Sequence, residues 1–372
     1  MSYYLPDADF GCAVSDLDAR RFDQDPDSHP VDRAFSAAIA VIDSYPKTSP
    51  LIAAKCKGLM YGYHHRWANS PMRVLAVEKE SYAPLFNVLT NRKSRQFTIA
   101  GKIDAIVEID GELIIIDHKT ASDEIEDPSA PYWKLLVVDS QPSHYMLLEW
   151  LNGNKIDGAV WDVARKPSIS PKQLNKSEIK KLSEERRYFG YELSEEDIVE
   201  MNVRSSESYA MYCARLAYDC TFVRPGRYFQ RRRVGRLDSE LIQYAKELWG
   251  VSREIASCRG NGMWIRNPGA CMLYGRPCEY LGICSGYEGE DDRTLWSTAP
   301  CVHRELSGVE GDGKDIITNS RTRCFLDCRR KHFYQYELGL NRIERAESEA
   351  IAFGSLWHAA LEAWFKAQML KE

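Results

Sequence analysis

The sequence predicts an α/β protein, with a mixed central sheet flanked by helices, an added helical region and a Cys-rich knuckle. Three observations predict it. The stretch "GKIDAIVEIDGELIIIDHKT" (101–120) reads as two apolar strands around Asp110-Gly111, a strong two-residue hairpin signal. Within it, "LIIIDHK" is apolar on both faces up to Asp117, as expected of a strand in the middle of a sheet. Residues 31–68, before the hairpin, carry apolar residues at mixed three and four spacing, the period of a half-buried helix.

The elements follow in chain order. Residues 31–68 read as helical, and "RVLAVEKESYAPL" (73–85) reads as a strand before the hairpin. "SQPSHYMLLEWLNG" (140–153) reads as a helix closed by Gly153, and "GAVWDVARKP" (158–167) as a further strand. Residues 175–257 read as mostly helical, rich in arginine and tyrosine. Residues 258–284 are dense in Cys, Gly and Pro and are expected to be irregular. "SGVEGDGKD" (307–315) has the composition of a linker, and residues 319–372 read as two helices around "LGL". No internal repeat is visible.

With 372 residues, 44% hydrophobic and 28% charged, the chain can bury a sizeable core as one large domain or two smaller ones. A net charge of -5 gives no global attraction for nucleic acid, so such contact needs local basic patches. "KSEIKK" (176–181) and "RPGRYFQRRRVGR" (224–236) are the candidates. No secretory leader opens the sequence and no apolar run approaches a membrane span, so a cytoplasmic chain without membrane contact is expected. Disulfides are then unexpected, and the 11 cysteines call for packing or metal.

If Asp110-Gly111 is the hairpin loop, cross-strand partners sum to 221, and Asp104 faces Asp117. Opposed carboxylates with Cβ atoms ~5 Å apart repel unless a cation lies between them. Their oxygens suit Mg²⁺ or Mn²⁺. Lys119, two residues past Asp117, lies on the same face, where its ammonium can orient water or meet developing negative charge. The bland alternative is a pair of acids on a solvated face.

"GKIDAI" and "IIIDHKT" resemble motifs II and III of the PD-(D/E)XK nuclease superfamily, in its RecB-like branch. The resemblance implies a restriction-endonuclease-like core. It implies Asp104 and Asp117 as metal ligands, Lys119 as the catalytic lysine, and the His118 backbone carbonyl as a further ligand. Gln141 and Tyr145 form Q-x-x-x-Y, on one helix face by spacing; the same branch carries such a pair beside the lysine or DNA. Glu78 in "VLAVEKE" matches an acid found on the preceding strand of this branch, though a lone strand glutamate also reads as a solvated side chain.

"CMLYGRPCEYLGIC" sets Cys271, Cys278 and Cys284 among Gly and Pro, a plausible metal knuckle needing a fourth ligand. RecB-like nucleases with an iron–sulfur cluster place three cysteines after the nuclease motifs and one before them. Here the segment resembling that early one, "SRTRCFLDCRRKHFYQYELGL" (320–340), comes late, followed by "AFGSLWHAALEAWF" (352–365), which resembles the family's F-G-x-x-x-H helix. Read as 317–372 and then 1–306, the chain resembles one complete nuclease domain. The resemblance then implies Cys328 as fourth ligand of a [4Fe–4S] cluster, with zinc as the lesser option, and His358 as an active-site histidine. A circular permutant joined through 307–316 fits this order; a truncated tandem or a swap between chains are the alternatives. Cys258 is the substitute ligand if Cys328 is distant. Cys12, Cys56, Cys213, Cys220, Cys301 and Cys324 read as packing thiols. His64 and His65 read as helix-surface or DNA-facing residues.

The function this resemblance implies is metal-dependent hydrolysis of DNA, most often by an exonuclease processing single- or double-stranded ends in repair or recombination. No helicase phosphate-binding loop is present, so a motor or recombination partner would be a separate protein. The rival readings are a non-catalytic DNA-binding or assembly module and a zinc-stabilised protein of unrelated function.

Overall fold

The computed structural model describes residues 30–46, 48–273, 275–299, 302, 303, 305, 306, 313–343 and 348–369. The 31–68 region is two helices, α1 (Pro30–Ser44) and α2 (Pro50–Trp67). The break has a local cause: Ser49 caps α2 by accepting the Ile52 N–H, and Pro50 opens the helix. Strand β1 (Met72–Asn87) then pairs antiparallel with β2 (Arg92–Ile109), so both run longer than the sequence suggests. β3 (Glu112–Ala121) completes the hairpin. After helices α3 (Pro131–Val138) and α4 (Ser140–Leu151), β4 (Gly158–Arg165) lies parallel to β3.

The 175–257 region is helical over α5 (Lys176–Glu185), α6 (Glu195–Arg204), α7 (Tyr209–Tyr218) and most of α8 (Asp238–Asn261). It departs from expectation at β5 (Phe229–Val234), which pairs antiparallel with β4 at the sheet edge. The expected 307–316 linker falls partly outside the described residues. Its end is β6 (Asp315–Ile317), parallel to β2. Beyond it lie α9 (Asn319–Asp327), a short helix Arg329–His332, a strand Leu340–Arg342 that includes the last residue of "LGL", and α10 (Glu349–Met369).

The sheet order is β1-β2-β3-β4-β5, with β6 on β2. One face is covered by α4 and α8, through Ile103, Ile115, Tyr145, Leu148, Leu241 and Leu248. The other is covered by α1, α2, α7 and α10, with Leu59, Tyr63, Leu216, Trp357 and Trp364 in one apolar core. Two satellites flank this sandwich. One gathers Leu174, Ile179, Leu193, Met201 and Met211; the other gathers Tyr280, Ile283, Trp296, Tyr334 and Leu340 beside the knuckle. Among the described residues no helix is long and apolar enough to cross a membrane.

Candidate active site

The hairpin sets the site. Asp110 and Gly111 both take positive φ, 52° and 83°, as a type I′ turn requires. Pairing runs from Ile109↔Glu112 to Ala105↔Ile116, so partners sum to 221 as the turn dictates. One step further stand Asp104 and Asp117. β1 holds the other edge of β2, so β3 and β6 share this edge, and Asp104 sits between their two stretches of pairing.

Asp117 is 3% exposed. Its Oδ2 lies 2.5 Å from Lys119 Nζ, and its Oδ1 accepts from Gln141 Nε2 at 3.1 Å. Lys119 Nζ also donates to Gln141 Oε1 at 2.9 Å, and Gln141 Nε2 donates to the Tyr145 hydroxyl at 3.0 Å. Asp117, Lys119, Gln141 and Tyr145 therefore close into one polar network between β3 and α4. Asp139 caps α4 by accepting the Gln141 N–H. Gly101 explains itself here: a Cβ at that position would stand 2.9 Å from the Tyr145 ring, so the close approach of α4 to β2 needs glycine.

Asp104 accepts the His118 backbone N–H through Oδ2 at 2.8 Å. Burial and the adjacent Asp117 charge push its carboxyl up to about 6, against the pull of His118 and Lys119. His358 on α10 brings Nδ1 to 3.9 Å from Asp104 Oδ2. Burial, then the His118 and Lys119 charges, lower the His358 ring to about 3, so it is neutral near pH 7. Glu78 lies between Val77↔Ala105 and Lys79↔Ile103, hence across the sheet from Asp104, with φ at 52°. Its carboxylate pairs with Lys102 at 2.5 Å. Among the described residues no group of three or more His, Cys, Asp or Glu side chains stands ready as a metal cage.

Cys271, Cys278, Cys284 and Cys328 line one small cavity, with Arg266, Arg330, Lys331, Tyr280 and Tyr334. All four thiols are free. Cys258 lies elsewhere, packed among Ile255, Leu248 and Phe325. Cys56 and Cys220 are buried packing thiols and Cys324 is buried with its Sγ toward Gln335. Cys12 and Cys301 lie outside the described residues.

Two sequence expectations are corrected. His64 is no surface residue: it is 8% exposed and its Nδ1 accepts the Trp364 indole N–H at 3.1 Å. The arginines of 224–236 are largely engaged within the molecule, whereas Lys180 and Lys181 of 176–181 stay exposed. Lys180 and Lys181 pair with Glu184 and Glu185, Arg224 with Asp219, Arg231 with Asp162 and Arg233 with Glu112. Arg236 donates to Ser143 Oγ and to the Leu136 and Asp139 carbonyls. The residues sequence reasoning missed around the site are Tyr63, Asp162 and Arg231; no local motif marks them.

The structure is a mixed central sheet flanked by helices, consistent with a restriction-endonuclease-like fold, with Asp104, Asp117 and Lys119 gathered on β2 and β3. The model of the PD-(D/E)XK nuclease superfamily matches residues 7–285 and 317–372. The chain belongs to this superfamily, whose members are generally nucleases acting on DNA, usually with Mg²⁺ or Mn²⁺. No curated protein and no solved structure matches it.

Proposed function

We propose that the protein is a metal-dependent deoxyribonuclease of the RecB-like branch that processes DNA ends, with a structural [4Fe–4S] cluster. The observation that carries this reading is the forced juxtaposition of Asp104 and Asp117 beside the Lys119–Gln141–Tyr145 network. A buried carboxylate and a half-buried one that repel each other make a pair that a divalent cation stabilises. Asp104, Asp117, the His118 carbonyl and His358 are the groups that would hold it, with Glu78 as a further acid released from Lys102. A cation bound there supplies a Lewis acid that lowers the pKa of water and draws charge from a phosphate.

The chain's own groups do the rest. The Lys119 ammonium, held between Asp117 and Gln141, faces developing negative charge on the phosphoryl group. Gln141 fixes the direction of that ammonium. Burial and the Asp117 charge raise the Tyr145 hydroxyl, so it stays protonated and holds Gln141. His358 is uncharged and offers a ring nitrogen without adding a repelling cation.

Four free cysteines line one cavity edged by Arg266, Arg330 and Lys331, which supports an anionic thiolate-bound cluster that would draw the thiols together. A C-terminal segment that brings His358 to Asp104 and Cys328 to the other cysteines favours a circular permutation over a truncated tandem. A helicase or recombination protein would be a separate partner.

The test is cleavage of end-labelled linear DNA by anaerobically purified protein with Mg²⁺ or Mn²⁺, against Lys119→Ala. Loss of one stabilising donor at the reacting charge should lower the rate about 100-fold or more. The label position then gives polarity, and iron with acid-labile sulfide in the same sample reports the cluster. Equal rates for the two proteins, or no metal-dependent cleavage of single- or double-stranded DNA, would overturn the reading.

A further inference from the structure

We propose that Asp162, clamped by Arg231 and Tyr63, is a positioning residue that sets the Asp104–Asp117 pair for cation capture; the inference rests on the nuclease reading above. Sheet register puts His118, Asp162 and Arg231 side by side on β3, β4 and β5, since His118 pairs with Asp162 and Asp162 with Arg231. Neighbours in a sheet share a face. All three side chains therefore project to the same side, under α2 and α10.

There they meet as one cluster. Arg231 Nε donates to Asp162 Oδ1 at 3.1 Å, and the Tyr63 hydroxyl donates to Asp162 Oδ2. Arg231 Nη2 donates to the Tyr63 oxygen at 3.0 Å, and the guanidinium lies 4.1 Å over the Trp67 ring. His118 Nδ1 stands 3.2 Å from Asp162 Oδ2, at an angle short of a regular hydrogen bond. Phe365 closes the far side of the His118 ring at 4.8 Å. Asp162 is 2% exposed and Tyr63 1%. Burial would raise the Asp162 carboxyl, but the Arg231 and His118 charges outweigh it and hold the group well below the usual range.

A buried ion pair of this kind is a poor device for stability, because apolar residues of the same volume do as well. β4 is otherwise apolar here: "GAVW" precedes Asp162 and "VA" follows it. What the acid holds is His118, the residue between Asp117 and Lys119. In a strand, alternate side chains leave opposite faces. Fixing His118 from below fixes the peptide from which Asp117 and Lys119 leave above. The same peptide's N–H holds Asp104. One anchor thus governs both acids, acting through His118.

The experiment is a Mn²⁺ titration of the anaerobically purified full chain freed of divalent cations, without DNA, followed by the EPR signal of free Mn²⁺. Asp162→Asn keeps the shape and removes the charge; it should weaken Mn²⁺ binding about tenfold or more, the scale of outer-shell substitutions at metal sites. Tyr63→Phe keeps the ring and deletes one hydrogen bond, so it tests the same clamp if Asp162→Asn does not fold. It should weaken binding in the same direction by less. A residue that only stabilised the fold would lower the thermal midpoint and leave the Mn²⁺ affinity of the folded protein unchanged. Asp117→Asn is the control. If it abolishes binding while the folded Asp162→Asn and Tyr63→Phe proteins bind as wild type, the metal reading stands and the positioning role is overturned. If wild type itself binds no Mn²⁺, or Asp117→Asn binds as well as wild type, the metal reading fails and the inference with it.

Discussion

At the scale of a residue, Asp104 is the group whose surroundings oppose its working form. Burial and Asp117 favour its protonated state, and the carboxyl sits near 6 rather than at its ordinary 3.8. A carboxyl raised in the fold binds protons that the unfolded chain has released. Its favourable share of stability is therefore present below about 3.8 and is lost as pH rises through about 6. Two consequences follow for the metal-free protein. Asp104→Asn should stabilise it at pH 8, by up to about 3 kcal/mol on the scale of 1.36 kcal/mol per pKa unit, read by urea unfolding. The same variant should lose cleavage, because the gain comes from deleting a ligand. In wild type, Mn²⁺ affinity should climb with pH up to about 6 and then level off, because the cation competes with the Asp104 proton. An Asp104→Asn protein that is less stable at pH 8 would mean that the acid pair is not under repulsion.

At the scale of an element, the site depends on how closely α4 lies on β2. Gly101 is the contact, and an alanine there would push against the Tyr145 ring. Gly101→Ala should cost roughly 1–3 kcal/mol as an overpacked core does, and it should displace Tyr145 and Gln141 from Lys119. Its cleavage rate should fall more than that of Gly111→Ala, where nothing crowds a Cβ and only the positive φ of 83° is strained. Thermal melts and rates on the two variants separate the effects; equal rates would mean that the α4–β2 spacing does not tune the site.

The same elements show what a sequence carries. The β2–β3 register was legible because a two-residue turn fixes it locally, and with it Asp104, Asp117 and Lys119. Gln141 and Tyr145 were legible because helical spacing is local too. β5 was not, because "FQRRRV" reads as a charged surface until Asp162 and Glu112 are known to receive Arg231 and Arg233. His64 was misread for the same reason: its partner Trp364 lies 300 residues away. Only tertiary structure pairs such groups, so a buried charge cluster leaves no periodic trace.

At the scale of the molecule, the question is whether residues 313–369 belong to the domain or are an appendage. β6 extends the central sheet, and Arg321 on α9 is buried and bonded to Asp315 and Glu337, which Arg259 of α8 also grips. α10 supplies Leu356, Trp357, Leu361, Trp364 and Phe365, all fully buried against α1, α2 and the sheet. Burying one such side chain is worth about 1.5–3 kcal/mol. Together these five exceed much of a typical domain's net stability of about 5–15 kcal/mol. Residues 1–306 alone should therefore be insoluble or molten. Expressed together with residues 313–372 as a second chain, they should co-purify as one complex, because the contacts of β6, α9 and α10 with the rest of the domain do not depend on a covalent join. The complex should cleave DNA at close to the intact rate, since His358 is returned to Asp104. A truncated tandem makes the opposite forecast: residues 1–306 would fold and cut alone, and adding the second chain would change neither circular dichroism nor rate.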